Sequence, residues 1–222
     1  AGEPAVIAEV KRRSPSRGDL AVDLDPVGTA MEYVAGGAAC LSVLTDVDHF
    51  GGSPDDLAAA RDAVGVPVLR KDFTIDARDV CDARLMGADA VLLIAAALDD
   101  AELTDFHALA VEVGLDALVE IHDEAELERA LTVGARLIGV NQRDLATFEV
   151  DTARAVRMAP LMPDWVVRVA ESGIRGPADA RTLVDAGYHA LLVGELVVTS
   201  SDRTGAVRAL RGCPRDHKMR DD

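Results

Sequence analysis

Ionisable and polar residues recur at one kind of position in this 222-residue chain, at or just after the end of a short aliphatic run. The run Ala5 to Val10 carries Glu9 and leads into Lys11, Ser14 and Ser16. Val66 to Arg70 leads into Lys71, Asp72 and Phe73, and Asp116 to Ile121 carries Glu120. Arg136 to Val140 leads into Asn141, Gln142 and Arg143, and Trp165 to Ala170 into Glu171, Ser172 and Gly173. Charged groups at the ends of apolar segments are costly unless paired or used, because ionised side chains resist desolvation. One such residue reads best as a structural ion pair. Five segments ending this way read better as one cleft, whose ammonium and carboxylate groups are suited to acid and base work.

A second signal lies in Glu171-Ser172-Gly173-Ile174 and Val193-Gly194-Glu195. Glycine after a strand lets backbone N–H groups approach an anion, and a short helix behind it would aim its N-terminus there. Either glycine alone is weak evidence. The pair points to a phosphate group.

The elements that must position these residues follow from the hydrophobic pattern. Besides the five runs above, Ala39 to Leu44, Asp89 to Ala95 and His189 to Gly194 complete a set of eight. Each is an uninterrupted apolar run, as expected of strands covered on both faces in a parallel sheet. The intervening segments read as helices. Ser53-Pro54-Asp55-Asp56 places a capping Ser before Pro and two acids. Asp123 to Leu131 starts acidic and stops at Gly134, and Asp179 to Ala186 stops at Gly187. Gly37, Gly87, Gly134 and Gly187 each precede a strand, marking a tight helix-to-strand turn used once per unit.

Eight βα units without a long linker leave a closed barrel or an open doubly wound sheet. No GxGxxG follows the first strand, and the polar residues gather after many strands instead of at one switch point. The expectation is therefore an α/β fold, a single-domain (β/α)8 TIM barrel over residues 1–222, with a charged, Pro-interrupted tail from Cys213 to Asp222 that frays.

Composition narrows the function classes. A net charge of −16 argues against a nucleic-acid partner while leaving room for a local basic pocket. Cys40, Cys81 and Cys213 form neither CxxC pair nor disulfide framework, which suits a reducing cytoplasm. No apolar run reaches the roughly 18–20 residues needed to span a bilayer, and the N-terminus lacks a signal-peptide pattern. His107 and His122 stand on or beside predicted helices without ligand-like partners, so surface or cap roles are expected of them and no metal site. Trp165 reads as a packing residue that opens a strand, and the pairs Asp99-Asp100 and Asp221-Asp222 as solvated.

The phrases IAEVKRRSPSRG, SVLTD followed by FGGS, VLRKDF, GADAVLLIAAAL, LVEIHDEAEL, GVNQRDLATFEVD, AESGI and LVGE occur in this order from Ile7 to about Asp202. This pattern resembles the indole-3-glycerol phosphate synthase family. VLRKDF together with NxRDL is its most specific part. The resemblance implies closure of 1-(2-carboxyphenylamino)-1-deoxyribulose 5-phosphate to indole-3-glycerol phosphate, with release of CO2 and water and without cofactor or metal. It implies Lys71 as the ammonium that polarises the sugar carbonyl and Glu120 as the carboxylate acid or base. Glu9 and Lys11 would shape the reacting region, and Asp46 would be the acid of the loop after strand two. Asn141, Arg143, Glu171 and Ser172 would meet the substrate's hydroxyls and carboxylate. Gly173 and Gly194 would hold phosphate through backbone amides, with Glu195 beside them. Ser14, Ser16 and Phe73 complete the expected substrate-binding set.

Three departures from the family pattern carry expectations of their own. The loop after strand two normally reads T-E/D-x-K/R, but here Asp48 stands where the cation belongs, a carboxylate that would repel an anionic substrate. His49 beside it is a substitute proton donor or a solvated loop residue. The family usually carries a further N-terminal helical extension that helps cover the substrate, whereas this sequence starts almost at the first strand, so the expectation is that the extension was trimmed or that the lid is absent. Glu195 replaces a small residue, so its side chain must point away from the anion. Asp48 motivates two alternatives, a paralogue acting on a different phosphorylated aryl-amino sugar and a non-catalytic phosphate-ligand barrel. Phosphoribosylanthranilate isomerase chemistry ranks low, because the first and fifth strands lack its Cys and Asp pair.

Overall fold

The computed structural model describes residues 3–145 and 147–213. Eight parallel strands close into a barrel: β1 (Ala5–Val10), β2 (Cys40–Leu44), β3 (Val68–Lys71), β4 (Ala90–Ile94), β5 (Asp116–Ile121), β6 (Leu137–Asn141), β7 (Val167–Glu171) and β8 (Ala190–Val193). Each strand pairs with the next, and β8 returns to β1 with Ala5 opposite Ala190. Helices α1 (Pro26–Ala35), α2 (Pro54–Ala63), α3 (Ala77–Leu85), α4 (Asp100–Glu112), α5 (Glu124–Thr132), α6 (Arg154–Met158), α7 (Pro177–Asp185) and α8 (Arg203–Arg211) cover the outside. This is the (β/α)8 TIM barrel expected from the sequence.

Local chemistry explains the boundaries. The side chains of Asp25, Ser53, Asp76, Asp99 and Asp123 each accept a backbone N–H from the first turn of the helix that follows. Gly37, Gly87, Gly134 and Gly187 take φ between +78° and +107°, the left-handed turn between a helix and the next strand.

Two apolar layers form. The larger lies between strands and helices and includes Val6, Val43, Val91, Val119 and Leu191. The smaller fills the barrel with Ile7, Leu69, Leu92, Ile94, Leu118, Val169, Ala190 and Leu192. Side chains two apart on a strand share a face. Stepping two residues on from Ile7, Leu69, Leu118 and Val169 therefore reaches Glu9, Lys71, Glu120 and Glu171, one layer above the inner core. The fold turns a two-residue period into a ring of ionisable groups.

Some expectations need correction. Strand β7 begins at Val167, so Trp165 stands in the preceding turn and is 54% exposed instead of packed. The turn closed by the Val166 N–H on the Pro163 carbonyl takes it off the strand face. Asp99 and Asp100 are both exposed, as expected, and beyond that Asp99 caps its helix with Glu102 reciprocating and Asp100 accepts from Arg129 Nε at 2.6 Å. The pair Asp221-Asp222 and the tail beyond Cys213 lie outside the described residues, while Cys213 itself is buried.

Candidate active site

The ring of ionisable groups opens into a cavity of about 560 Å³ at the C-terminal end of the barrel. Strand ends supply its floor. Lys71 and Glu120 come from β3 and β5, and Lys71 Nζ lies 3.7 Å from Glu120 Oε2. The other Glu120 oxygen accepts Asn141 Nδ2 at 3.0 Å, while Asn141 Oδ1 accepts the Arg143 backbone N–H, also at 3.0 Å. Glu120 is therefore fixed from the β6 side and offered to Lys71 on the other.

Glu9 forms a second pair with Lys11, 2.6 Å apart, and accepts Ser42 Oγ at 3.5 Å. Burial alone would raise the Glu9 carboxyl, but the nearby charges of Lys11 and Lys71 outweigh it and hold the group below its usual range. Burial would likewise lower Lys71, yet Glu120, Glu171 and Glu9 surround it and keep it protonated above the ordinary lysine value. Glu171 behaves oppositely. Burial, reinforced by the charge of Glu120 and only partly offset by Lys71, pushes its carboxyl well above the usual value. Gly139 makes room for it, since a Cβ there would stand 1.9 Å from Glu171 Oε1.

The side expected to hold phosphate is built from turns. Ser172 and Gly173 both take positive φ, +64° and +71°, and Gly194 caps the short helix Glu195–Val198. The left-handed region is rare for a serine and marks a turn held in place by its surroundings. A Cβ on Gly194 would sit 2.3 Å from Glu9 Oε1 and 2.8 Å from Lys11 Nζ. This glycine thus leaves room for the Glu9–Lys11 pair. The Glu195 carboxylate reaches Arg17 Nη2 at 3.0 Å, joining the loop after β1 to the loop after β8.

Loops complete the wall with Ser14, Ser16, Phe73 and Arg143, and with apolar groups from Phe50, Leu145 and Phe148. Arg12 pairs with Asp56 at the start of α2 and donates to Gly51 O and Leu24 O. Arg13 donates to Val47 O at 2.9 Å and also bonds Asp48 O. The loops after β1 and β2 are therefore stapled together.

Every residue singled out from the sequence for catalysis or binding lines this one cavity. Asp46 does so with both oxygens engaged inside its own loop: Oδ1 accepts the N–H groups of His49 and Phe50, and Oδ2 lies 3.1 Å from His49 Nδ1. Those bonds outweigh burial and hold the Asp46 carboxyl low. Asp48 is exposed and does not line the cavity, so the repulsion expected of it is directed at solvent. His49 lines the cavity while remaining largely exposed.

Sequence reasoning missed His122, which is neither a surface residue nor a simple cap. Its side chain is only 12% exposed, and Nε2 lies 3.6 Å from Glu120 Oε1. The available signal was its position, two residues after Glu120 at the end of the strand. The apolar contribution of Leu145 and Phe148 was also missed, because the loop after β6 carries no periodic pattern.

The fold and this ring of charge define a (β/α)8 barrel enzyme with its chemistry at the C-terminal mouth. The family model described as indole-3-glycerol phosphate synthase matches residues 1–210. The indole-3-glycerol phosphate synthase of a Nocardioides species is 55% identical over 208 residues, covering 94% of this chain and 80% of its own length. That of a Parafrankia species is 54% identical over 198 residues, covering 89% and 74%. A solved thiamine phosphate pyrophosphorylase from Pyrococcus furiosus superposes with a TM-score of 0.70 over 93% of both chains at 16% identity, a likeness of fold alone. The chain belongs to the indole-3-glycerol phosphate synthase family, whose members are decarboxylating lyases of tryptophan biosynthesis.

Proposed function

We propose that this chain closes 1-(2-carboxyphenylamino)-1-deoxyribulose 5-phosphate to indole-3-glycerol phosphate, with Lys71 as the acid and Glu120 as the partner carboxylate. The observation that carries the assignment is the facing of Lys71 and Glu120 across 3.7 Å on the floor of one cavity. The substrate's ring carbon attacks the sugar carbonyl while Lys71 donates a proton to the developing alkoxide. The carboxylate leaves as CO2, and its bond electrons restore the ring. Loss of the new hydroxyl as water then requires removal of a proton, the task assigned to Glu120. Lys71 suits its role because its neighbours keep it charged despite burial.

Asn141, Arg143, Ser172 and Glu171 are assigned to the substrate's polar groups, and the Ser172-Gly173 and Gly194 turns to its phosphate. Glu9 and Lys11 support the reacting region as a pair. The apolar wall of Phe73, Leu145 and Phe148 suits the anthranilate ring. One domain carries all of this, since β8 closes the barrel only by pairing with β1. Three free cysteines fit a reducing cytoplasm. No helix among the described residues is long and apolar enough to cross a membrane.

The test is to mix the purified chain with this substrate and follow indole fluorescence together with CO2 release. Equimolar appearance of both supports the assignment. Turnover of a different aryl-amino sugar with no indole from this one would replace it with the paralogue reading, and binding without turnover would leave a non-catalytic barrel.

A further inference from the structure

His122 follows β5 directly, two residues after Glu120. Its backbone N–H donates to Glu126 Oε2 at 2.7 Å, and the same oxygen lies 3.1 Å from its Nδ1. An ionised carboxylate only accepts, so this contact assigns a proton to Nδ1. The other ring nitrogen, Nε2, is buried without a hydrogen-bond partner and faces Glu120 Oε1 at 3.6 Å. A buried nitrogen in that position is costly as a bare lone pair against a carboxylate and favourable as an N–H.

The surrounding charge gives this geometry a consequence. The cavity floor holds three carboxyl groups, Glu9, Glu120 and Glu171, and two ammonium groups, Lys11 and Lys71. Lys11 is paired with Glu9, which leaves Glu120 and Glu171 sharing Lys71. Two buried neighbouring carboxyls do not both ionise readily, and whichever sits nearer a further cation keeps the charge. Of these two carboxyls, only Glu120 has an imidazole against it among the described residues.

We infer that His122 is a positioning residue for the reaction: clamped by Glu126, it presents a charged Nε2–H to Glu120 and places the negative charge of the Glu120–Glu171 pair on Glu120, leaving the proton on Glu171. The inference rests on the reading of Glu120 as the base. It explains how one of two similar buried glutamates is selected for that work. The groups facing His122 are Glu120 from its own strand, Glu126 from α5 and Arg154 from α6. Burial would lower the imidazole, but the Glu126 hydrogen bond and the charges of Glu120 and Glu126 outweigh burial and Arg154, so it is held above its ordinary value. Burial first, and then the charge of Glu120, hold the Glu171 carboxyl up, in keeping with this arrangement.

The test is the pH profile of kcat for the wild type, His122→Gln and Glu126→Gln. Gln retains a donor but no charge, so the acid limb of His122→Gln should move up by about one pH unit, a loss of roughly 10-fold below the limb. Glu126→Gln should move it in the same direction. A merely structural role would lower turnover across the profile without moving the limb, and an unmoved limb overturns the inference. Should His122→Gln fail to fold, proton NMR of the wild-type ring decides: a midpoint above 6.5 that falls in Glu126→Gln supports it, and one below 6.5 overturns it. Glu120→Gln is the control for the underlying reading. Loss of turnover with substrate still bound keeps Glu120 as base whatever His122 does, whereas near-normal turnover removes the base itself.

Discussion

Lys71 Nζ and Glu120 Oε2 lie 3.7 Å apart although their strands are not neighbours, β4 standing between them. Leu92 and Ile94 of that intervening strand belong to the apolar core inside the barrel. A charged pair in that position could have been a structural ion pair. The two bonds that hold Asn141 between Glu120 and the Arg143 backbone, and the open cavity above, favour a working site.

Glu171 should make stability depend on pH. Its folded carboxyl titrates well above the ordinary value of 4.5. A group raised on folding contributes stability fully present below its unfolded value and lost as pH rises toward the folded one. Glu171→Gln removes this term, so its Tm relative to the wild type should climb from pH 5 to pH 8. For a chain of this size each kcal/mol corresponds to about 2–4 °C. Thermal melts at the two pH values check this, and an equal difference at both would contradict it.

Gly194→Ala should damage the site more than the fold. Its Cβ would meet the far ends of Glu9 and Lys11, which can move, though at the expense of their pairing. A displacement of this kind should lower kcat/KM by about 10- to 100-fold, while the melting temperature changes little. Steady-state kinetics beside a thermal melt separates the two effects, and unchanged kcat/KM would count against a working role for the Glu9–Lys11 pair.

Asp48→Lys should do little. The side chain is exposed and outside the cavity, and its backbone carbonyl is what the loop uses, accepting from Arg13. At about 0.15 M salt a charge in that position is largely screened. Kinetics should therefore stay within about threefold of the wild type. A large gain would show that this loop needs a cation after all.

Much of this was legible in the sequence because the barrel's period is simple. Glu9, Lys71, Glu120 and Glu171 could be picked because each stands at the end of an apolar run, where a charge is costly unless it is used; their common inward face came only with the barrel. Capping chemistry at Ser53 and Asp123 and the glycines Gly37, Gly87, Gly134 and Gly187, each before a strand, marked several of the units. The rest depended on contacts between distant segments. The spacing of His122, two residues after Glu120, was the one local hint of their meeting; no local pattern turns Asp48 outward while Asp46 folds its carboxylate into the loop. Trp165 illustrates the converse error: an apolar residue beside a strand was read as part of it, when a turn at Pro163 delays the strand to Val167.

The most direct test of the acid–base assignment is the turnover of Lys71→Ala on 1-(2-carboxyphenylamino)-1-deoxyribulose 5-phosphate, followed by indole fluorescence with substrate binding measured by calorimetry. The account predicts a fall in kcat of at least roughly 100-fold, as loss of a general acid produces, with the substrate still bound. Turnover close to that of the wild type would contradict it.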